Sequence, residues 1–213
     1  MVNYLCDPHK IEIETFNKIR EQADLEGFSS DEIQIVMQMI RAWGEPELAT
    51  KIRISPKAIK AGKKAIKNYA TMLYDFGTVK CALEDALLYQ EPMCFIQKAS
   101  VISQAKANKQ SRAMTAVSQW KNYVKGSIAI FGQSSSALMY LLEMVKKKEF
   151  EKPALIIATN SGFVNAAEGK QILMDSYDEL EIEYITVEGT IGGSMLAAAA
   201  VNALLRVQKG ELV

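Results

Sequence analysis

Arg112 stands in Lys109-Gln110-Ser111-Arg112-Ala113, a polar stretch that opens a helical pattern. A guanidinium there presents a planar fork that holds a carboxylate through two parallel hydrogen bonds. An intrachain salt bridge is the plainer alternative. Phe131-Gly132-Gln133-Ser134-Ser135-Ser136 also leads from an apolar run into a helix. Its serine hydroxyls and the amides of a helix start suit carboxylate oxygens, although a simple N-cap serine explains the run nearly as well. A nucleophile elbow would need a second glycine and a base. The glycine is missing and the single histidine, His9, lies near the amino terminus, so serine catalysis is set aside. Two further corners, Gly162-Phe163-Val164-Asn165 and Gly189-Thr190-Ile191-Gly192-Gly193-Ser194, each follow an apolar run and precede a helix. Adjacent corners of this kind build a pocket at the carboxyl ends of parallel strands. Gly192 and Gly193 permit positive φ and close approach to a ligand. Neither a dinucleotide fingerprint nor a phosphate loop is present, which leaves nucleotide binding without a motif.

The elements that must carry these corners are legible as changes of period. Residues 8–28 place Ile11, Phe16, Ile19, Ala23 and Leu25 at helical spacing. Ser29 and Glu32 form a capping-box pattern for a second helix that Gly44 and Pro46 end. Ser55-Pro56 reads as an N-cap with proline at the first helical position, for a helix to about Tyr69. Short apolar runs at 71–76, 93–96, 127–131, 154–158 and 183–187 then alternate with helical segments near 78–89, 97–123, 134–147, 164–175 and 191–206. The runs show little polar alternation, as expected of strands buried on both faces. The pattern predicts an α/β fold: three layers, doubly wound, around a mainly parallel five-stranded sheet. One domain spanning 1–213 is expected, with a helical subregion over about 1–70. The ligand cleft is expected near Gly132, Asn160 and Gly189. The slim Ala197–Ala200 run suits close packing, on the sheet or at a dimer seam.

Composition narrows the function classes. Lys plus Arg equals Asp plus Glu at 25 each, which argues against a nucleic-acid partner held by bulk charge. Lys57, Lys60, Lys63, Lys64 and Lys67 form a solvated stripe, with steering of an anion as the alternative. Cys6, Cys81 and Cys94 form no C-x-x-C pair, and one histidine makes a His-based zinc site improbable. No apolar run reaches membrane-spanning length and the amino terminus lacks a signal-peptide pattern, so no membrane partner and a cytoplasmic location are expected.

From Tyr4 to Leu205 the chain resembles the precorrin-8X methylmutase family. The opening Tyr4, Asp7-Pro8, Ile11 and Phe16-x-x-Ile19-Arg20 is similar to the family's DP-x-x-I…SF-x-x-IR start. Met39-Ile40-Arg41-Ala42-Trp43-Gly44-Glu45-Pro46 resembles MIHATGDP, Ser111-Arg112-Ala113 resembles TRS, and the segment from Gly132 to Leu138 resembles GNAPTAL. The segment from Gly162 to Lys170 resembles GFVGAAESK, and that from Gly189 to Ser194 resembles GR-x-GGS. The resemblance implies a homodimeric isomerase without a cofactor that moves a methyl group between adjacent carbons of a corrin precursor, late in cobalamin synthesis. It implies no metal site, and a corrinoid or other carboxylated tetrapyrrole as ligand. The substrate-binding residues it implies are Thr15, Trp43, Ser111, Arg112, Gln133, Ser136, Gly162, Phe163, Lys170, Gly192 and Gly193. Thr15 stands where the family has a substrate-contacting serine and keeps the hydroxyl.

The departures gather at the implied site. Arg41 takes the position of the family's catalytic histidine, and Trp43 replaces a small residue two positions on. Gln133 replaces Asn, Ser135 replaces Pro, Asn165 replaces Gly, and Thr190 replaces a basic residue. An imidazole exchanges a proton near neutrality, whereas a guanidinium keeps its proton at any working pH. Arg41 is therefore expected to lie in the pocket and to impair the methylmutase reaction. A non-catalytic binding protein for a carboxylated tetrapyrrole is the alternative reading.

Overall fold

The computed structural model describes residues 4–212; Met1, Val2, Asn3 and Val213 of the expected domain lie outside the described residues. Helix starts follow the capping chemistry. Asp7 accepts hydrogen bonds from the amides of His9 and Lys10 and so opens α1 (Pro8–Gln22). The expected capping box of Ser29 and Glu32 opens α2 (Ser30–Trp43), which Gly44 ends at φ +89°. The chain continues through a 3₁₀ turn (Pro46–Lys51) into β1 (Ile52–Ile54), α3 (Ala58–Lys67), β2 (Met72–Tyr74) and α4 (Gly77–Cys81). The expected helical stretch at 78–89 is only partly helical, since α4 ends at Cys81 and a separate 3₁₀ turn at Asp85–Leu87 follows. The stretch at 97–123 divides into α5 (Ala99–Asn108) and α6 (Arg112–Ser118), because Lys109 turns left-handed at φ +52° and the Ser111 hydroxyl caps the new helix through the Met114 amide. There follow β3 (Ile128–Phe131), α7 (Ser135–Lys146), β4 (Leu155–Ala158), α8 (Ala166–Asp175), α9 (Tyr177–Leu180), β5 (Glu183–Val187) and α10 (Ser194–Lys209).

The sheet order is β1-β5-β4-β3-β2, with β2 to β5 parallel and β1 antiparallel to β5. Two strand expectations need correction. The 93–96 run contributes a single bridge, Leu73 to Met93. Pro92 has no amide to extend the ladder, and Phe95 and Ile96 are apolar because they fill the core beside α5 and α6. The fifth strand is instead β1, with Ile52 opposite Val187 and Ile54 opposite Ile185. Three residues carry too little periodicity to be read as a strand. Ser55 is not an N-cap: its hydroxyl donates to Glu183 Oε2 at 2.5 Å and accepts from the Tyr184 amide at 2.8 Å, tying β1 to β5 before α3 begins.

Strand residues alternate between two cores. Ile128, Ile130, Leu155 and Ile157 face the one beneath α2, α3, α4 and α10. Ala129, Phe131, Ile156 and Ala158 face the other, beneath α5 to α8. Strands β2 to β5 follow one another in chain order, so α6, α7 and α8 all cross on the second face. The amino-terminal helices and α10 cover the first, which completes three layers. The alanine-rich part of α10 is buried against the sheet and α2, so its small side chains serve packing within the chain and not a dimer seam.

Candidate functional site

The carboxyl ends of β2 to β5 share one edge, and the corners singled out from the sequence all lie there. Asp75, directly after β2, organises the corner after β3. Its Oδ1 accepts the Gly132 amide at 3.0 Å, and its Oδ2 accepts those of Gln133 at 2.9 Å and Ser134 at 2.6 Å. Burial raises the Asp75 pKa, against the opposing pull of these amides. The amides expected to receive a ligand carboxylate are thus already occupied by a side chain of this chain. Gly132 is required by packing as well: a Cβ there would lie 2.8 Å from Ser194 Cα.

The hydroxyls of this corner are engaged within the chain. Ser134 caps α7 through the Ala137 amide at 3.3 Å. The Ser136 hydroxyl is 2.9 Å from that of Ser111, which joins the starts of α6 and α7. Arg112, the next residue, is exposed and has no hydrogen bond or ion pair to any described residue. The plainer alternative for Arg112, an intrachain salt bridge, is therefore absent among the described residues. The Gln133 side chain is exposed beside this group. Asn160, after β4, donates to the Ser135 hydroxyl at 2.9 Å, and its buried Oδ1 has no partner among the described residues.

The glycine corner before α10 is held from two sides. The Gly193 amide donates to the Thr159 carbonyl at 2.5 Å, and the Thr159 hydroxyl donates to the Gly193 carbonyl at 3.0 Å. A Cβ at Gly192, where φ is +144°, would lie 1.9 Å from the Thr159 oxygen. The close approach that demands glycine is made to β4's own corner and not to a ligand. Gly162 donates its amide to the Thr190 carbonyl at 3.0 Å. Lys170, on α8, is fully buried and donates to the Ile191 carbonyl at 2.8 Å. Burial pulls its pKa from 10.5 to about 8. Its ammonium faces the inside of the corner, so in this structure it holds backbone where the sequence suggested ligand contact. Phe163 is 94% exposed and Val164 76% exposed on the outer rim of the same corner.

Thr15 and Arg41 share a shallow cleft of about 280 Å³ between α1 and α2. Arg41 also borders a cleft of about 260 Å³ with Met195 and Ala199 of α10. Its guanidinium turns toward α1, 3.4 Å from Glu12 Oε1 and 5.5 Å from the centre of the Phe16 ring. Thr15 donates its hydroxyl to the Ile11 carbonyl of its own helix at 2.7 Å. Trp43 does not join them. Residues two apart project to opposite sides of a helix, and the Trp43 ring packs against the first core with Nε1 on Glu45 at 3.1 Å. The structure therefore gathers Ser111, Arg112, Gln133 and Ser136 in one group and Thr15 with Arg41 in another. Asn160 marked the expected cleft, whereas Asp75 and Thr159 were not among the site candidates. Asp75 directly follows β2 and Thr159 directly follows β4, the place where side chains at a parallel sheet's carboxyl edge are found.

The family model described as precorrin-8X methylmutase matches residues 10–207. A precorrin-8X methylmutase of Pseudomonas aeruginosa is 34% identical over 206 residues, covering 96% of this chain and 98% of that protein. A cobalt-precorrin-8 methylmutase of Leptospira interrogans is 30% identical and covers 94% and 95%. Among solved structures, the precorrin-8X methylmutase of Thermus thermophilus superposes with a TM-score of 0.85 at 33% identity, over 96% of this chain and 98% of that one.

Proposed function

The chain belongs to the precorrin-8X methylmutase family, and we propose on that footing that it is an isomerase of cobalamin biosynthesis that binds a carboxylated corrin precursor at the carboxyl edge of its sheet. The observation that carries the binding half is Arg112, an exposed guanidinium without a partner among the described residues, beside the Ser111 and Ser136 hydroxyls. A corrin precursor carries carboxylates around its rim, and an unpaired guanidinium is pre-charged to meet one. An intramolecular methyl shift needs neither oxidant nor second substrate. The protein's share is to fix the ring's position and to manage a proton.

The proton is where this chain departs from its relatives. Arg41 holds the position at which the family resemblance places a catalytic histidine, and its guanidinium is engaged by Glu12 and Phe16. We propose that the methylmutase reaction is impaired here for want of an imidazole. The same observation favours the second reading, a carboxylated-tetrapyrrole binder without turnover. A single domain and a homodimer belong to the proposal too. The exposed Phe163 and Val164 supply apolar surface for a partner copy to cover, and light scattering should then report about twice 23.6 kDa.

Anaerobic incubation with precorrin-8X separates the readings. Turnover changes the absorbance spectrum at constant mass, whereas a binder changes neither beyond stoichiometric amounts. Arg112→Ala should weaken corrinoid binding by about 1.5–3 kcal/mol, the loss of a charge-assisted hydrogen bond. Unchanged affinity by calorimetry, with the circular dichroism spectrum retained, would take Arg112 out of the site.

A further inference from the structure

Between Glu91 and Glu143 the chain contains no Asp or Glu, yet it carries Lys98, Lys106, Lys109, Arg112, Lys121 and Lys125. The chain as a whole is neutral, so the remainder carries a matching excess of acid and the charge is divided between regions. The acid-free segment comprises α5, α6 and β3 and the start of α7. Its cations fall into two groups and one lone lysine, Lys98. Lys121 and Lys125 lie at the amino-terminal edge, between the end of α6 and the start of β3, and Lys125 has Glu151 at 3.6 Å. Lys98 lies over the Phe95 ring at 4.2 Å. Lys106, Lys109 and Arg112 instead frame the turn from α5 to α6, which the Ser111–Ser136 contact pins to the carboxyl edge.

These three are exposed and make no side-chain hydrogen bond, ion pair or ring contact with any described residue. Each is three residues from the next, so no neighbouring pair of Cα atoms is more than about 11 Å apart. Lys109 takes a left-handed conformation that glycine or asparagine adopts more readily. A helix-dipole role accounts for Lys106 in the last turn of α5, but not for Lys109 beyond it or for the absence of any acid from the segment that carries them.

We propose that Lys106 and Lys109 extend Arg112 into a cationic rim that recognises the ligand by its number of peripheral carboxylates. This rests on the corrinoid reading above for its natural ligand. Arg112 grips one carboxylate, and the two lysines attract the others as point charges on flexible stems. With no ion pair to any described residue, their field extends over about one Debye length.

The test uses two free-base porphyrins, octacarboxylic uroporphyrin and tetracarboxylic coproporphyrin, titrated by fluorescence against the folded protein at several salt concentrations. The unmodified protein should prefer the octacarboxylic probe, and its affinity should fall with salt. In Lys106→Gln/Lys109→Gln that affinity should drop about 3- to 30-fold, as expected for two partly solvated charge contacts, with a flatter salt dependence and little preference left. Lys121→Gln/Lys125→Gln removes the same charge from the far edge and should behave as the unmodified protein. The rim is overturned if the first variant binds both porphyrins as the unmodified protein does, if the far-edge variant loses as much, or if neither porphyrin binds. A lysine-dependent preference without turnover of precorrin-8X would leave the rim standing and remove the isomerase reading.

Discussion

Replacing Lys170 with methionine should cost little at neutral pH and should abolish a rise in stability at alkaline pH. Lys170 is fully buried with one acceptor, the Ile191 carbonyl at 2.8 Å. Burial lowers its pKa from 10.5 to about 8. At 1.36 kcal/mol per pH unit, that places about 3 kcal/mol against the charged form at pH 7. Methionine fills most of the same channel without a charge, so that penalty is relieved. The change also leaves the Ile191 carbonyl without its donor, at about 1–3 kcal/mol. The two effects nearly cancel, and Lys170→Met is expected within about 2 kcal/mol of the unmodified protein at pH 7. Lys170→Ala adds a cavity and should lose more, about 2–5 kcal/mol.

The sign with pH follows from proton counting. A lysine whose pKa is depressed in the folded state binds fewer protons there than in the unfolded chain between pH 8 and 10.5. The unfolded chain is favoured by protons, and stability rises with pH across that window. Urea unfolding of both proteins from pH 7 to 10.5 isolates the effect as their difference, since the tyrosines and other lysines are common to both. The unmodified protein should gain about 3 kcal/mol on Lys170→Met across the window. A constant or opposite difference would show that Lys170 is solvated in the folded protein and would refute the buried-ammonium reasoning.

Three further outcomes are expected. Gly192→Ala places a Cβ 1.9 Å from the Thr159 carbonyl oxygen at a φ of +144°, so thermal unfolding should report a loss of at least about 3 kcal/mol; a wild-type melting temperature would show that the corner relaxes freely. Asp75→Asn puts an amide donor against a backbone N–H and should destabilise by about 2 kcal/mol at pH 7. Because the Asp75 pKa is raised, its protonation favours the folded state; the advantage is complete below pH 3.8 and is lost as pH rises through its folded value, so denaturant unfolding should show the deficit of the Asn variant shrinking across that rise. Arg41→His should raise methylmutase turnover, by up to about 10²-fold if proton exchange is the missing function, with stability changed by less than about 1 kcal/mol because the Glu12 pair is half exposed. Adding Trp43→Thr should not help, since the indole packs on the core; a gain from the second change would show that Trp43 reaches the ligand.

Elements whose information is local were legible in the sequence. The capping box at Ser29 and Glu32, the left-handed stop at Gly44 and the buried runs of β3, β4 and β5 depend on neighbouring residues and on period, and all formed where the residues placed them. The family resemblance was legible for the same reason, since its motifs are contiguous corners, and the alternation of buried runs with helical segments predicted the α/β fold with a mainly parallel sheet. What needed the tertiary structure were the roles that depend on partners distant in sequence. Ser55 looks like a helix cap until Glu183 and Tyr184 arrive beside it, and β1 is a strand only because β5 offers an edge. The amides after β3 look free until Asp75 fills them. Gly192 looks shaped for a ligand until Thr159 is seen in its path, and Lys170 looks like a ligand cation until α8 carries its ammonium inward to Ile191. Arg112 differs only in what is missing around it: it has the same guanidinium as Arg41, Arg53 and Arg206, but they have acidic partners and it has none among the described residues. Residue type sets what a side chain can bond; only the fold, by bringing distant partners within 3 Å or withholding them, decides which of those bonds remain for a ligand.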